Sequence, residues 1–325
     1  MTVTTRPELR GTFGMVASRH WLASAAGMAV LERGGNAFDA AVATGLTLQV
    51  VEPHLNGPGG DLPVVLWSAE QGRPLVLCAQ GVAPAAATIE RYRELGHDLV
   101  PGTGLLAACV PGAFDGWMLL LRDFGTMRLA DILEFAVGYA EDGYPVVPGI
   151  TATIRGAEPL LRDWPGSAEL YLPAPQPGER FRNRQLAATY GRIVAESLGG
   201  DREAEIERAR DAFYRGFVAD AIDAFCREHG GLLDGGDLAS WRATLEPPAT
   251  FEYRGHTVCK TGPWGQGPVL LQQLALLASF VHSTTVWTSS AGASSARSKP
   301  ASSASCWSST GPWPHGPVLH TVQRP

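Results

Sequence analysis

Most of the short motifs that would identify an enzyme at once are missing from these 325 residues. There is no G-x-S-x-G elbow, no H-E-x-x-H zinc motif, no G-x-x-x-x-G-K-[ST] phosphate loop and no C-x-x-C pair. The local signatures of serine hydrolases, zinc peptidases, P-loop NTPases and dithiol redox proteins are therefore absent. Cysteine is scarce as well. Cys78, Cys109, Cys226, Cys259 and Cys306 are odd in number and far apart, which argues against a disulfide framework and against a zinc site built on close pairs. Most of them read as buried thiols, and neither a metal nor a cofactor is expected. No stretch approaches the ~18 apolar residues that a membrane span requires, and the first twenty residues hold no apolar run. A cytoplasmic protein is expected on that basis. The net charge of -6 is mild and the basic residues are scattered, so neither nucleic acid nor a membrane surface is an expected partner. Acidic residues are lacking altogether after Glu252.

What the chain does have is apolar content, 45% of its residues, enough for a sizeable core in about two domains or one large one. Its organising stretch runs from Gly34 to Gly60. Gly34-Gly35 is a helix stop and Asn36 a good N-cap, so one helix should end at about Arg33 and another begin just after Asn36. The second helix, to about Val50, carries Ala40, Ala41, Ala43, Thr44, Gly45 and Thr47 around much of its circumference, and so should be buried close against its neighbours. It leads into Glu52-Pro53-His54 and a loop with Gly57, Gly59 and Gly60. That loop lacks the lysine and following helix of a phosphate cradle and reads as a structural turn.

Taken in order, Gly14–Ala17 reads as a strand and Ser18 as a candidate cap for the helix from about Trp21 to Arg33. Leu62–Trp67 and Leu75–Cys78 read as two strands joined at Glu70–Arg73. Gln80-Gly81 follows, a polar residue where a strand end commonly presents a ligand-binding side chain, although a plain turn glutamine fits the same pattern. Helices are expected over Ile89–Leu95, Gly112–Phe124 and Leu129–Asp142. The proline-rich stretch 165–185 reads as a loop or domain seam, and Glu203–Arg227 as one charged helix with a solvated face. A hairpin is expected across Arg254-Gly255, then an apolar helix over Val269–Leu277. His20, His54 and His256 lack a carboxylate or cysteine at useful spacing and read as capping or core residues.

At Phe280 the character changes. From Ser283 to Thr310, eleven of twenty-eight residues are serine and no period persists, so this part is not expected to order itself. The chain is thus divided into a body, 1–279, and a Ser/Ala-rich tail, 280–325, that a change of reading frame would explain.

Several motifs together resemble the large-subunit half of the gamma-glutamyltransferase family. They are Gly14-Met15-Val16-Ala17 with Ala23-Ser24, Gly34-Gly35-Asn36-Ala37 with Asp39–Val42, Val51-Glu52-Pro53-His54, the Gly57–Gly60 run, Ala83-Pro84-Ala85, Val110-Pro111-Gly112 and Ala140–Pro145. Their order and spacing match over about residues 11–279. The resemblance implies an N-terminal-nucleophile hydrolase: α+β, helix-rich, an incomplete part of a four-layer αββα sandwich. It further implies a precursor that cuts itself into two subunits. The new N-terminal threonine of the small subunit attacks a gamma-glutamyl amide, as in glutathione, and passes the acyl group to water or an amino acid. The free α-amino group serves as the base and backbone donors stabilise the oxyanion.

In the family, a threonine pair followed by histidine introduces that nucleophile. Here the late pair Thr284-Thr285 is followed by Val286-Trp287 and reads as coincidence, so no catalytic residue is assigned and the chain alone is expected to be inactive. The family's large subunit grips the substrate α-carboxylate with the arginine of an Arg-Glu-Thr-Ala-Pro-like segment. The corresponding segment is Gln80-Gly81-Val82-Ala83-Pro84, which makes Gln80 the candidate substrate-binding residue. Two alternatives stay open: an amidase or acylase of the same superfamily with another acyl group, or a non-catalytic subunit that pairs with a separate small subunit.

Overall fold

The computed structural model describes residues 8–290 and 320–323, with backbone alone for 280–290 and 320–323. It is about 52% helix and 13% strand, the helix-rich α+β composition expected. Two compact units interleave along the chain. One comprises Met1–Leu62, Ala79–Thr244 and Gly316–Pro325, the other Pro63–Cys78 and Leu245–His315.

The larger unit begins with β1 (Gly14–Ala17), α1 (Trp21–Glu32) and α2 (Ala37–Val51). Asn36 caps α2 as its sequence predicts, in a capping box whose second member is Asp39. The α1 cap differs from expectation. His20 takes the position, its Nδ1 accepting from the Leu22 N–H at 3.3 Å, while the Ser18 hydroxyl turns to the His20 carbonyl and to Ser24. Helix α2 is buried along nearly its whole length, and glycine is what permits this. A Cβ on Gly27 of α1 would lie 2.1 Å from Thr44 Oγ1, and one on Gly45 2.1 Å from the Trp117 ring.

The two-strand region of the smaller unit intervenes; then come α3 (Ile89–Glu94), α4 (Ala113–Phe124), α5 (Leu129–Asp142), α6 (Pro148–Gly156), α7 (Glu158–Arg162) and α8 (Pro165–Tyr171). Helix α8 starts on a proline at its first position, where the missing N–H costs nothing, so residues 165–185 hold a helix and part of a small strand pair and lie within one unit. The loop or domain seam expected at 165–185 is therefore not found. Helices α9 (Arg184–Ser197), α10 (Arg202–Tyr214), α11 (Phe217–Glu228) and α12 (Gly235–Ser240) complete the unit. The expected single charged helix is α10 and α11, interrupted at Arg215 and Gly216, neither of which has helical backbone angles. Short strands pair antiparallel in two places: Tyr144–Pro145 with Arg180–Phe181, and β1 with His320–Gln323.

In the smaller unit, strands Leu62–Ser68, Arg73–Ala79 and Thr244–Glu246 form one sheet in that order. Ala249–Tyr253 and His256–Lys260 form a hairpin whose turn residues, Arg254 (φ 51°) and Gly255 (φ 81°), are both left-handed, as a tight two-residue turn requires. The last helix, α13, runs from Gly267 to Ser290 and so continues past Leu277. Of the expected tail, residues 291–319 lie outside the described residues.

Candidate functional site

Three backbone segments of the larger unit meet around Gln80. The first is the glycine loop. The Glu52 carbonyl accepts the Leu55 and Asn56 N–H groups, and the Gly60 N–H bonds to the Gly57 carbonyl at 3.1 Å. The Gly60 carbonyl in turn accepts the Gly112 and Ala113 N–H groups at 2.9 and 2.8 Å, closing the N-terminus of α4. The loop is therefore a structural turn, its carbonyl turned on a helix end.

The second segment is Ala79–Val82 and the third Val110–Ala113. The Val110 N–H donates to the Val82 carbonyl at 2.9 Å. Contact elsewhere is too close for any side chain: a Cβ on Gly81 would lie 1.6 Å from the Val110 carbonyl oxygen, and one on Gly112 2.1 Å from that of Ala79. Gln80 is clamped between these two approaches. Its side chain is half-buried and makes no hydrogen bond with any described residue, so its amide is available. The turn that follows is held from outside by Asp237, which accepts the Ala85 N–H at 2.9 Å.

A second polar cluster sits where α2 ends. Glu52, 4% exposed, has Arg19 Nε at 3.4 Å from its Oε2, an ion-pair contact without hydrogen-bond alignment. Burial pushes its carboxyl up and the Arg19 charge pulls it part of the way back. His20 stacks on Trp21 with ring centroids 4.1 Å apart and meets the edge of Tyr144 at 6.2 Å. Burial lowers its pKa to about 4. His54 is lowered by burial and then by Arg19; Tyr144 is raised by burial, with smaller contributions from Tyr171 and Glu52. Among the described residues, His20 Nε2, Glu52 Oε2, His54 Nδ1 and Tyr144 Oη are buried with no hydrogen-bond partner. His20 is thus both the capping and the core residue that its sequence suggested; His256 stands exposed at the start of its strand. Thr284 and Thr285 lie in α13, where side chains are not described. No group of three or more His, Cys, Asp or Glu suited to a metal occurs among the described residues. No helix among them is long and apolar enough to cross a membrane.

Sequence reasoning missed a buried network behind the Val110–Ala113 turn. Asp115 of α4 pairs with Arg210 of α10, the two being 0% and 4% exposed in their side chains, and its other oxygen accepts the Ala243 N–H at 2.6 Å. Burial opposes the Arg210 charge, but the Asp115 hydrogen bond and charge, joined by Glu207, raise its pKa overall. The residues of the pair are too far apart in sequence for any local pattern to reveal them.

Comparison with known proteins bears on this site. Residues 23–297 match the model of the gamma-glutamyltranspeptidase family. The chain is 34% identical over 274 residues to the glutathione hydrolase-like YwrD proenzyme of Bacillus subtilis (strain 168), covering 83% of this chain and 50% of that protein. It is 37% identical over 278 residues to the acylase ACY 1 proenzyme of Pseudomonas sp. (strain SE83), covering 81% and 47%. A solved structure, that of LmbA2991T421A, superposes with a TM-score of 0.81 at 57% identity, over 85% of this chain and 49% of that one. The chain spans about half the length of the curated relatives it matches. On that match, the chain belongs to the gamma-glutamyltranspeptidase family of N-terminal-nucleophile hydrolases and corresponds to its large-subunit region.

Proposed function

We propose that this chain supplies the substrate-holding half of an acyl-transferring or amide-hydrolysing enzyme of the family, and that Gln80 contacts the acyl amide donor. The observation that carries this is the placement of Gln80: clamped by Gly81 and Gly112, half-buried, its amide free of internal partners. The nucleophile is assigned to a small-subunit partner, because no threonine-threonine-histidine segment occurs in these residues. Glutathione-like gamma-glutamyl compounds are the family's donors by resemblance, but the chemistry at position 80 favours a neutral acyl group. Arginine meets a carboxylate with a fixed fork of charged donors; glutamine offers one neutral amide, and charge-assisted hydrogen bonds are about twice as strong. The acylase name of one relative at 37% identity supports that second reading within the same chemistry.

The experiment is binding to the full chain, followed by the Gln80 side-chain amide resonance, with a gamma-glutamyl amide and with an acyl amide of the same length lacking the α-amino acid end. The neutral acyl amide should bind the more tightly, and Gln80→Arg should reverse the order. Equal binding of the gamma-glutamyl amide by the parent chain and by Gln80→Arg would show that position 80 does not meet the donor.

A further inference from the structure

The turn that clamps Gln80 is itself held by one phenol. Tyr214, the last residue of α10 and 4% exposed, donates its hydroxyl to the Pro111 carbonyl at 2.6 Å and accepts the Asp115 N–H at 3.1 Å. Both bonds fall on the first turn of α4 and the residue leading into it, where backbone groups have no intrahelical partner. Asp115, whose N–H Tyr214 takes, is fixed in turn by Arg210 and by the Ala243 N–H, and Arg210 also donates to Glu207 at 2.8 Å. Each carboxylate oxygen of Asp115 is therefore used, as a buried network requires if it is to hold one arrangement.

Close backbone contact and the Val110 N–H to Val82 carbonyl hydrogen bond join this network to the segment that carries the candidate substrate side chain. Val110 and Gly112 flank Pro111, and they press on Gly81 and Ala79, the neighbours of Gln80 on either side. With gaps that admit no Cβ, a shift of Pro111 has no slack in which to dissipate. We propose that Tyr214, backed by Asp115 and Arg210, is a positioning residue for Gln80. Its hydroxyl sets the place of the Val110–Gly112 turn and, through that turn, where the Gln80 amide stands. The inference rests on the reading of Gln80 as the donor-contacting residue, and a displacement of as little as an ångström at such a group is enough to alter turnover greatly.

The test uses the full chain without substrate, so its failure is separate from any failure of the substrate assignment. Tyr214→Phe removes the hydroxyl and keeps the ring. The control is Tyr190→Phe, which removes the hydroxyl of another fully buried tyrosine, one bonded to Gln49 Oε1 at 2.6 Å. Both changes should lower the melting temperature to a similar degree. Tyr214→Phe alone should shift the Gln80 side-chain amide and the Gly81 and Gly112 backbone amide resonances. Those resonances staying in place in Tyr214→Phe, or moving equally in Tyr190→Phe, would overturn the proposal. Should Tyr214→Phe fail to fold, Asp115→Asn, which keeps an oxygen for the Ala243 N–H and weakens the hold of Arg210, decides by the same resonances.

Discussion

Asp39 reaches from the first turn of α2 to accept the Thr126 hydroxyl at 2.7 Å, joining two positions 87 residues apart. The same carboxylate accepts the Asn36 N–H at 2.8 Å and the Thr126 and Met127 N–H groups at 2.9 and 3.1 Å, with no exposure to solvent. One side chain thus completes the cap of α2 and ties down the connection between α4 and α5. Asp39→Asn should destabilise the chain by about 3 kcal/mol, since the amide nitrogen faces donors where an acceptor is needed and buried N–H groups lose their partners. Urea unfolding followed by circular dichroism measures this. A loss within experimental error would mean that the loop finds other acceptors.

Gly81→Ala should cost at least about 2 kcal/mol, because its new carbon would collide with the backbone carbonyl of Val110, a group that cannot rotate away. Gly59→Ala in the nearby loop is the contrast. Nothing lies within 4 Å of its Cβ position, so its effect should stay within about 0.5 kcal/mol. Thermal unfolding of the two variants side by side distinguishes a packing requirement from a general need for loop flexibility.

Stability should fall as the solution is acidified. His20 is neutral in the fold down to a pKa of about 4, against 6.5 for the unconstrained imidazole, so its contribution is fully present above pH 6.5 and is lost as the pH falls through 4. The gap corresponds to about 3 kcal/mol at 1.36 kcal/mol per pH unit. His54, lowered as well, acts in the same direction, whereas the raised carboxyl of Glu52 opposes it by favouring the fold at lower pH. His20→Asn keeps an oxygen to cap α1 and removes the titration, so its unfolding free energy should be flatter between pH 7 and 4. Parallel pH profiles for the two proteins would show another source for the slope.

The purified chain should release no chromogenic amine from a gamma-glutamyl anilide and should run as one band on a denaturing gel. Its tie to the family is to the large-subunit region, and binding with oxyanion donors alone leaves weak residual catalysis at best. Turnover, or a clean split into two bands, would place a nucleophile within these residues, with Thr284 and Thr285 the first to substitute.

The tyrosine network and the Asp39 hub show where sequence reading stopped. Asn36 after Gly34-Gly35, the small residues of α2, the turn at Arg254-Gly255 and the motif series that carries the family all act locally or by order along the chain, and each was readable. Capping, helical period and left-handed turns are satisfied within a few residues, so the residue types alone settle them. The choice of His20 over Ser18 as a cap was harder, because both side chains can accept from a helix N-terminus; in the fold the Ser18 hydroxyl is engaged with the His20 carbonyl and Ser24, while His20 caps α1 and packs on Trp21 and Tyr144.

By itself, the sequence determined a helix-rich member of a known hydrolase family and the buried second helix. Tertiary structure alone decided that Asp39 of the α2 cap also accepts from Thr126, 87 residues away, that Arg210 neutralises Asp115, that Gly81 and Gly112 let the Val110–Gly112 turn close on the backbone to either side of Gln80, and that the units interleave along the chain. Those pairings depend on which distant groups burial forces together. A buried donor or acceptor must find a partner wherever the chain brings one, and no local pattern records which one that is.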